Sequence, residues 1–242
     1  MKKTSITFNQ VSKSFYLQED KTVKELLPSI IQGKSWMKKK IALKNISFSI
    51  RQGETVGIVG KNGAGKSTIM KLIAGVTYPS SGSVQVGGKV APLIELTAGF
   101  HHELSGYENI FLNAAILGMH KKEIQEQVTS IIEFSNLADY IHVPLKRYST
   151  GMQMRLAFSV AIHTNAPILL IDEVLAVGDV EFQEKCLRKL TEIKAETNST
   201  IVFVSHDQQA VEKFCDRALL LEDGELVADG SPQRIFDTYN KN

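Results

Sequence analysis

The sequence has little of what marks secreted, disulfide-stabilised or nucleic-acid-binding proteins. Its 242 residues include only two cysteines, Cys186 and Cys215, and their separation fits no metal-ligand spacing. We therefore expect two reduced, partly buried thiols in a cytosolic protein. The formal net charge is only +2, whereas a DNA-binding domain usually has a strong basic excess. The charge balance predicts no nucleic-acid partner.

Long apolar segments are also missing. The most apolar run, residues 168–171, has only the length of a strand. No window approaches the roughly 18 consecutive apolar residues that cross a bilayer, and residues 1–6 lack the apolar stretch of a signal peptide. We expect a cytoplasmic chain whose contact with a membrane runs mainly through a partner protein.

The order of strand and helix patterns predicts an α/β fold. A short apolar strand at 55–59 leads through a glycine-rich loop into a helix that begins at Lys66. The alternation returns with strands at 168–171 and 201–204 and a helix at 208–214. Strands that alternate with helices form a mainly parallel sheet covered on both faces.

Other segments add an antiparallel flank and a helical insertion. Alternating apolar residues near 6–8 and 46–50 predict half-buried antiparallel strands. We interpret 82–90 as a hairpin-like β segment and 218–228 as a hairpin with an Asp-Gly turn. The expected organisation is a P-loop (RecA-like) core with an antiparallel β subdomain, a helical subdomain and a basic insertion. These comprise residues 1–96 with 163–242, residues 97–162, and residues 18–40, respectively.

Residues 60–68 contain the phosphate-binding pattern G-x-x-x-x-G-K-[ST]. The loop comprises Gly60, Lys61, Asn62, Gly63, Ala64, Gly65, Lys66 and Ser67, and Thr68 follows it. Glycines let backbone N–H groups point at phosphates, Lys66 reaches the β- and γ-phosphates, and the Ser67 hydroxyl holds Mg²⁺. Because the pattern follows a strand and opens a helix, we expect the chain to bind and hydrolyse a nucleoside triphosphate.

Polar groups suited to hydrolysis follow two further strands. Strand 168–171 ends in Asp172 and Glu173, and His206 comes just after strand 201–204. Ligands of an open α/β sheet gather at the carboxyl ends of its strands. We expect Asp172 to hold Mg²⁺ through water and Glu173 to polarise the attacking water. His206 is interpreted as a contact to the γ-phosphate or that water, with a structural role as the alternative.

The segment 148–152 stands at the start of a predicted helix. Ser149 or Thr150 can cap that helix through its hydroxyl. With the N–H of Gly151, the same helix terminus can also bind an anion.

Taken together, these motifs resemble the nucleotide-binding domain of ABC transporters in order and spacing, over nearly the whole chain. The resemblance implies that Ser149, Thr150 and Gly151 form the signature loop, which binds the γ-phosphate held by a second copy. It implies a head-to-tail dimer enclosing two ATP molecules, a D-loop that includes Asp179, and a separate transmembrane permease subunit.

The signature departs from the usual Leu-Ser-Gly-Gly-Gln, because Tyr148, Thr150 and Met152 replace its leucine, first glycine and glutamine. The glutamine of the Q-loop is absent too, and Glu95 is the candidate to replace it at Mg²⁺. With segments 99–109 and 149–159, these changes resemble the branch that exports lipid-linked O antigen, capsule or teichoic acid. That branch implies a peripheral position, through the permease, on the cytoplasmic face of the bacterial inner membrane.

Two assignments have alternatives. The resemblance implies that an aromatic residue of the first β segment stacks on adenine. Phe15 matches that position best, and Tyr16 is the alternative. The competing interpretation is that this aromatic residue only packs in the core. The stretch 34–40 is a solvated loop or a contact with anionic lipid headgroups.

Three functions therefore compete. The first is the energy-coupling subunit of a polysaccharide exporter. The second is a soluble ABC ATPase that acts as a mechanical clamp, although such proteins usually carry two cassettes or a long coiled coil. The third is a module that holds ATP without turnover, against which Glu173 and His206 argue.

Overall fold

The computed structural model describes residues 3–18, 37–93, 97–172, 179–205 and 207–240. The strands are β1 (Thr4–Gln18), β2 (Met37–Arg51), β3 (Thr55–Val59), β4 (Ser81–Val86), β5 (Val90–Leu93), β6 (Ile168–Ile171), β7 (Thr200–Val204), β8 (Arg217–Glu222) and β9 (Glu225–Gly230). The helices are α1 (Lys66–Ile73), α2 (Gly106–Ile116), α3 (Lys121–Ser135), α4 (Thr150–Ile162), α5 (Val180–Thr197), α6 (Gln208–Phe214) and α7 (Pro232–Tyr239).

The central sheet has the order β5-β6-β7-β3-β8-β9. Its first five strands are parallel, and β9 returns antiparallel to β8. Strand β6 is buried along its whole length, with Ile168 and Leu170 packed into one core and Leu169 and Ile171 into the other. A strand buried on both faces reads as a continuous apolar run. The predicted α/β class with a mainly parallel sheet is confirmed.

A second, antiparallel sheet has the order β2-β1-β4 and packs with α1 over one face of the central sheet. The rings of Phe8 and Phe48 stack at 4.5 Å between centroids in this core. The predicted antiparallel strands are confirmed, and they reach into the insertion expected at 18–40, since β1 ends at Gln18 and β2 begins at Met37; residues 19–36 lie outside the described residues. The hairpin expected at 82–90 is wrong. Strand β4 pairs with β1, whereas β5 joins the central sheet parallel to β6. The intervening Gly87 N–H bonds to Ser5 O, so the chain leaves one sheet there before entering the other.

Helices α2, α3 and α4 surround a third core, as the helical spacing of 97–162 predicts. Helix α2 begins at a capping box in which the Ser105 hydroxyl accepts from the Glu108 N–H and the Glu108 carboxylate accepts from the Ser105 N–H. The closing hairpin is confirmed, with positive φ at Asp223 and Gly224. Helix α7 was not predicted, although the Ser-Pro pair at its start is a helix-initiation signal.

Both cysteines are buried and unpaired, as expected. Burial raises the pKa of Cys186 and of Cys215 to about 12, so neither thiol ionises near neutral pH. In the described ranges of the chain, no helix is both long and apolar enough to cross a bilayer.

Candidate functional site

The P-loop connects β3 to α1 and lies against β2. Gly65 has φ of 110°, and a Cβ there would stand 2.6 Å from Leu43 Cδ2 and 2.8 Å from the Ala42 carbonyl oxygen. Only glycine meets both the dihedral angle and the close approach. The Lys66 side chain is buried, and its ammonium donates to the carbonyl oxygens of Gly60 at 2.7 Å and Lys61 at 3.2 Å. The loop therefore curves around a cation.

The N-terminus of α1 is suited to an anion. Within the described residues, no side chain caps it and its first turn carries no acidic residue. The first N–H groups of a helix lack intrahelical partners, and the helix dipole adds positive potential there. A phosphate held by these groups would meet Lys66, and the Ser67 hydroxyl follows in the same turn.

The other predicted site residues follow strands beside β3. Strand β7 pairs with β3 on one side and with β6 on the other, so the carboxyl ends of all three meet at one edge. Half-buried Asp172 follows β6 directly, two strand spacings from the P-loop strand, or about 10 Å. That separation suits a carboxylate that reaches a metal through water. Glu173, His206 and Glu95 lie outside the described residues.

Ser67 and Asp172 fit Mg²⁺ by their chemistry, because hydroxyl and carboxylate oxygens are the ligands that this hard cation prefers. Within the described residues, no group of three His, Cys, Asp or Glu side chains could hold a metal alone. Magnesium at nucleotides is usually held by one or two carboxylates together with phosphate oxygens and water.

The signature segment lies at the start of α4. The Ser149 hydroxyl accepts from the Met152 N–H at 3.2 Å, which confirms the capping role. Ser149 and Thr150 are exposed, so this helix terminus is open to a partner.

Tyr148, which replaces the leucine of the usual signature, is a buried residue of the helical core. Its hydroxyl donates to the Tyr140 carbonyl oxygen at 2.7 Å, and burial raises its pKa to about 12. A Cβ on Gly106 would lie 2.3 Å from that hydroxyl oxygen. Gly106 therefore makes room for the larger side chain. No local pattern indicates this pairing, since the two residues are 42 positions apart in the sequence.

Asp179 caps α5 and joins it to α4. One carboxylate oxygen accepts from the Phe182 N–H at 2.9 Å, and the other forms an ion pair with Arg155. The Phe182 N–H and, secondarily, Arg155 lower the pKa of Asp179. Arg155 also lies 5.2 Å from the Phe182 ring centroid. Sequence reasoning missed this link between the signature helix and the residue that ends the predicted D-loop.

The two candidate adenine-binding aromatics are both surface residues of β1. Phe15 is 39% exposed and Tyr16 is 61% exposed. The interpretation of this segment as a core aromatic is wrong.

Comparison with known proteins agrees with this geometry. The ABC transporter family pattern matches residues 43–176, more than half of the chain. The O-antigen export system ATP-binding protein RfbB of Klebsiella pneumoniae is 48% identical over 204 residues, covering 84% of this chain and 82% of RfbB. The teichoic acids export ATP-binding protein TagH of Listeria monocytogenes is 42% identical over 241 residues, covering 99% of this chain and 71% of TagH.

Solved structures show the same fold. A dimeric structure of the ATP-binding cassette MJ0796, in a post-hydrolysis state bound to ADP and Pi, superposes with a TM-score of 0.76 at 23% identity. That superposition covers 94% of this chain and 98% of the cassette. The family pattern and the close relatives agree with the phosphate-binding loop and the sheet edge beside it. The chain therefore belongs to the ABC transporter family, as an ATP-binding and ATP-hydrolysing cassette.

Proposed function

We propose that this chain is the ATP-hydrolysing subunit of an exporter of lipid-linked polysaccharide, such as O antigen, capsule or teichoic acid. The observation that supports this proposal is a sequence identity of 42–48%, over 84–99% of the chain, to relatives that are named for such export. Because those names cover two different polymers, the proposal is made for the class and not for one cargo. The relatives do not favour the alternative of a soluble clamp.

The proposed chemistry assigns each residue a task at the sheet edge. Lys66 and the N-terminus of α1 hold the β- and γ-phosphates, and Phe15 stacks on adenine. Ser67 and Asp172, with Glu95 as a further candidate, would hold Mg²⁺, which neutralises charge developing on the phosphates when it is bound. Glu173 orients and polarises the attacking water, and His206 contacts the γ-phosphate.

We further propose that each catalytic site is shared between two copies arranged head to tail. Ser149 and Thr150 are exposed at the start of α4 and Gly151 is half-buried there, and in this proposal their hydroxyls and N–H groups form an anion-binding group. A second copy would bring this group to the γ-phosphate on the P-loop. Closure of the dimer around ATP would move a separate transmembrane permease, to which the chain binds at the cytoplasmic face of the inner membrane.

The catalytic assignment is tested with Glu173→Gln. The variant should bind ATP, fail to turn it over and accumulate as a dimer, measured by phosphate release and light scattering. Glu181→Gln on the exposed first turn of α5 is the matched control and should behave as wild type. Normal turnover by the Glu173 variant would refute the assignment.

The shared site is tested by complementation. Lys66→Ala and Gly151→Asp should each abolish hydrolysis, and a mixture should regain activity, since the mixed dimer contains one intact P-loop facing one intact signature. Mixed dimers that form but stay inactive would contradict the head-to-tail arrangement.

A further inference from the structure

One lysine joins the candidate adenine-binding ring to the segment that follows the P-loop helix. The Lys13 ammonium donates to Thr77 Oγ1 at 2.7 Å and to the Tyr78 carbonyl oxygen at 2.8 Å. The same nitrogen lies 4.9 Å from the centroid of the Phe15 ring. Because α1 ends at Ile73, Lys13 connects β1 to the chain shortly after that helix.

The strand register shows which face of β1 this lysine occupies. Lys13 pairs with Leu43 of β2, and directly opposed residues of antiparallel strands share a face. The register shifts between Lys13 and Ser14, but the extra residue, Ala42, is on β2, so the alternation along β1 continues from Lys13 to Tyr16. Leu43 is fully buried, and its side chain lies against the P-loop at Gly65. Lys13 therefore occupies the face of β1 that is turned to the P-loop.

The same geometry separates the two candidate aromatics. Residues two apart on a strand share a face, whereas neighbours point to opposite faces. Phe15 lies on the P-loop face together with Lys13, and their cation–π contact agrees with this placement. Tyr16 lies on the opposite face of the strand, turned away from the P-loop.

We propose that Lys13 is a positioning residue for the base of the nucleotide. Its ammonium covers one face of the Phe15 ring and leaves the other face for adenine. This inference rests on the proposed stacking of adenine on Phe15. A surface phenylalanine would otherwise sample several rotamers, and holding it in place reduces the ordering cost when the base binds. Because Lys13 acts on the base, it should leave phosphate binding unchanged.

The experiment measures base and phosphate binding separately in the purified full chain. The dissociation constant of Mg-ADP reports binding of the base and of the phosphates together. The inhibition constant of inorganic tripolyphosphate against ATP hydrolysis reports the phosphate site alone. Lys13→Met keeps the aliphatic stem and removes the charge, whereas Lys13→Arg keeps a cation over the ring. Ser14→Ala is the matched control, since Ser14 contacts the same loop through the Ser80 hydroxyl without lying over the ring.

We expect Lys13→Met to weaken Mg-ADP binding about two- to fivefold and Phe15→Ala to weaken it about tenfold. Tripolyphosphate inhibition should be unchanged in both variants, and Lys13→Arg and Ser14→Ala should bind Mg-ADP as wild type does. In the Phe15→Ala background, Lys13→Met should have no further effect.

Three results would overturn the proposal, because each would show that Lys13 acts through the segment 77–80 and not through the ring. They are an equal loss of Mg-ADP and tripolyphosphate binding in Lys13→Met, the same loss in Ser14→Ala, and a full effect of Lys13→Met in the Phe15→Ala background. Unchanged Mg-ADP binding in Lys13→Met with weakened binding in Phe15→Ala would overturn the role of Lys13 and leave the adenine site standing. Unchanged binding in Phe15→Ala would remove the adenine assignment itself.

Discussion

The contact between Tyr148 and Gly106 can be tested by a pair of substitutions that should not be additive. Tyr148→Phe removes the hydroxyl that donates to the Tyr140 carbonyl oxygen. That oxygen also accepts from the Val143 N–H at 2.8 Å, so it keeps one partner. The loss should therefore be close to that of one ordinary hydrogen bond, about 1 kcal/mol of unfolding free energy.

Gly106→Ala should also destabilise the protein, although alanine has a higher helix propensity than glycine. At the first position of a helix, alanine is normally no worse than glycine. Here the new Cβ would stand 2.3 Å from the Tyr148 hydroxyl oxygen and 3.1 Å from its Cζ, so the ring or the helix must shift. Overpacking of this kind costs about 1–3 kcal/mol.

In the Tyr148→Phe background, the nearest of these contacts is gone. Gly106→Ala should then cost about 1 kcal/mol less than it does beside tyrosine. Urea unfolding of the four proteins measures the coupling, and Tyr140→Phe is the control, because it changes an exposed ring and keeps the carbonyl oxygen. Strictly additive effects, or a stabilising Gly106→Ala in the wild-type background, would refute the packing argument. ATP hydrolysis per folded molecule should change little in Tyr148→Phe, because the Ser149 cap is retained.

Other consequences of the structure can be measured directly. Arg155→Ala should raise the depressed pKa of Asp179 only partway toward 3.8, since the helix N–H bond that contributes most remains; NMR titration of the carboxyl measures this. Because the pKa of Asp179 is lower in the folded than in the unfolded state, the ionised carboxylate stabilises the fold fully above pH 3.8. This stabilisation should be lost as the pH falls through the pKa of the folded state, and Asp179→Asn should abolish that pH dependence. Arg217→Met removes the ion-pair partner of the Glu54 carboxylate, which is 17% exposed and then keeps, among the described residues, only its bond from the Arg51 N–H. The variant should lower the free energy of unfolding in urea by about 1–3 kcal/mol, with Arg217→Lys closer to wild type. Replacing the four lysines of 34–40 should reduce salt-sensitive binding to anionic liposomes by up to about 1 kcal/mol per lysine, and unchanged binding would exclude a headgroup contact.

Features encoded in contiguous residues could be predicted from the sequence alone. The phosphate-binding loop around Lys66 is a local pattern, because the turn, the anion-binding N–H groups and the helix start all come from neighbouring residues. Asp172 could be placed at the sheet edge because an unbroken apolar run is typical of a buried parallel strand. The Asp223-Gly224 turn and the helical periodicity of 97–162 are likewise local.

Only the tertiary structure decided which distant segments meet. Whether β4 and β5 pair with each other or with strands of two different sheets depends on free edges elsewhere in the fold, which local alternation does not encode. Tyr148 departs from the usual signature motif, and the space for its hydroxyl is left by Gly106, which is distant in the sequence. Which of Phe15 and Tyr16 shares the face of Lys13 likewise depends on how β1 pairs with β2, since a single step along a strand exchanges the face turned to the P-loop for the opposite one.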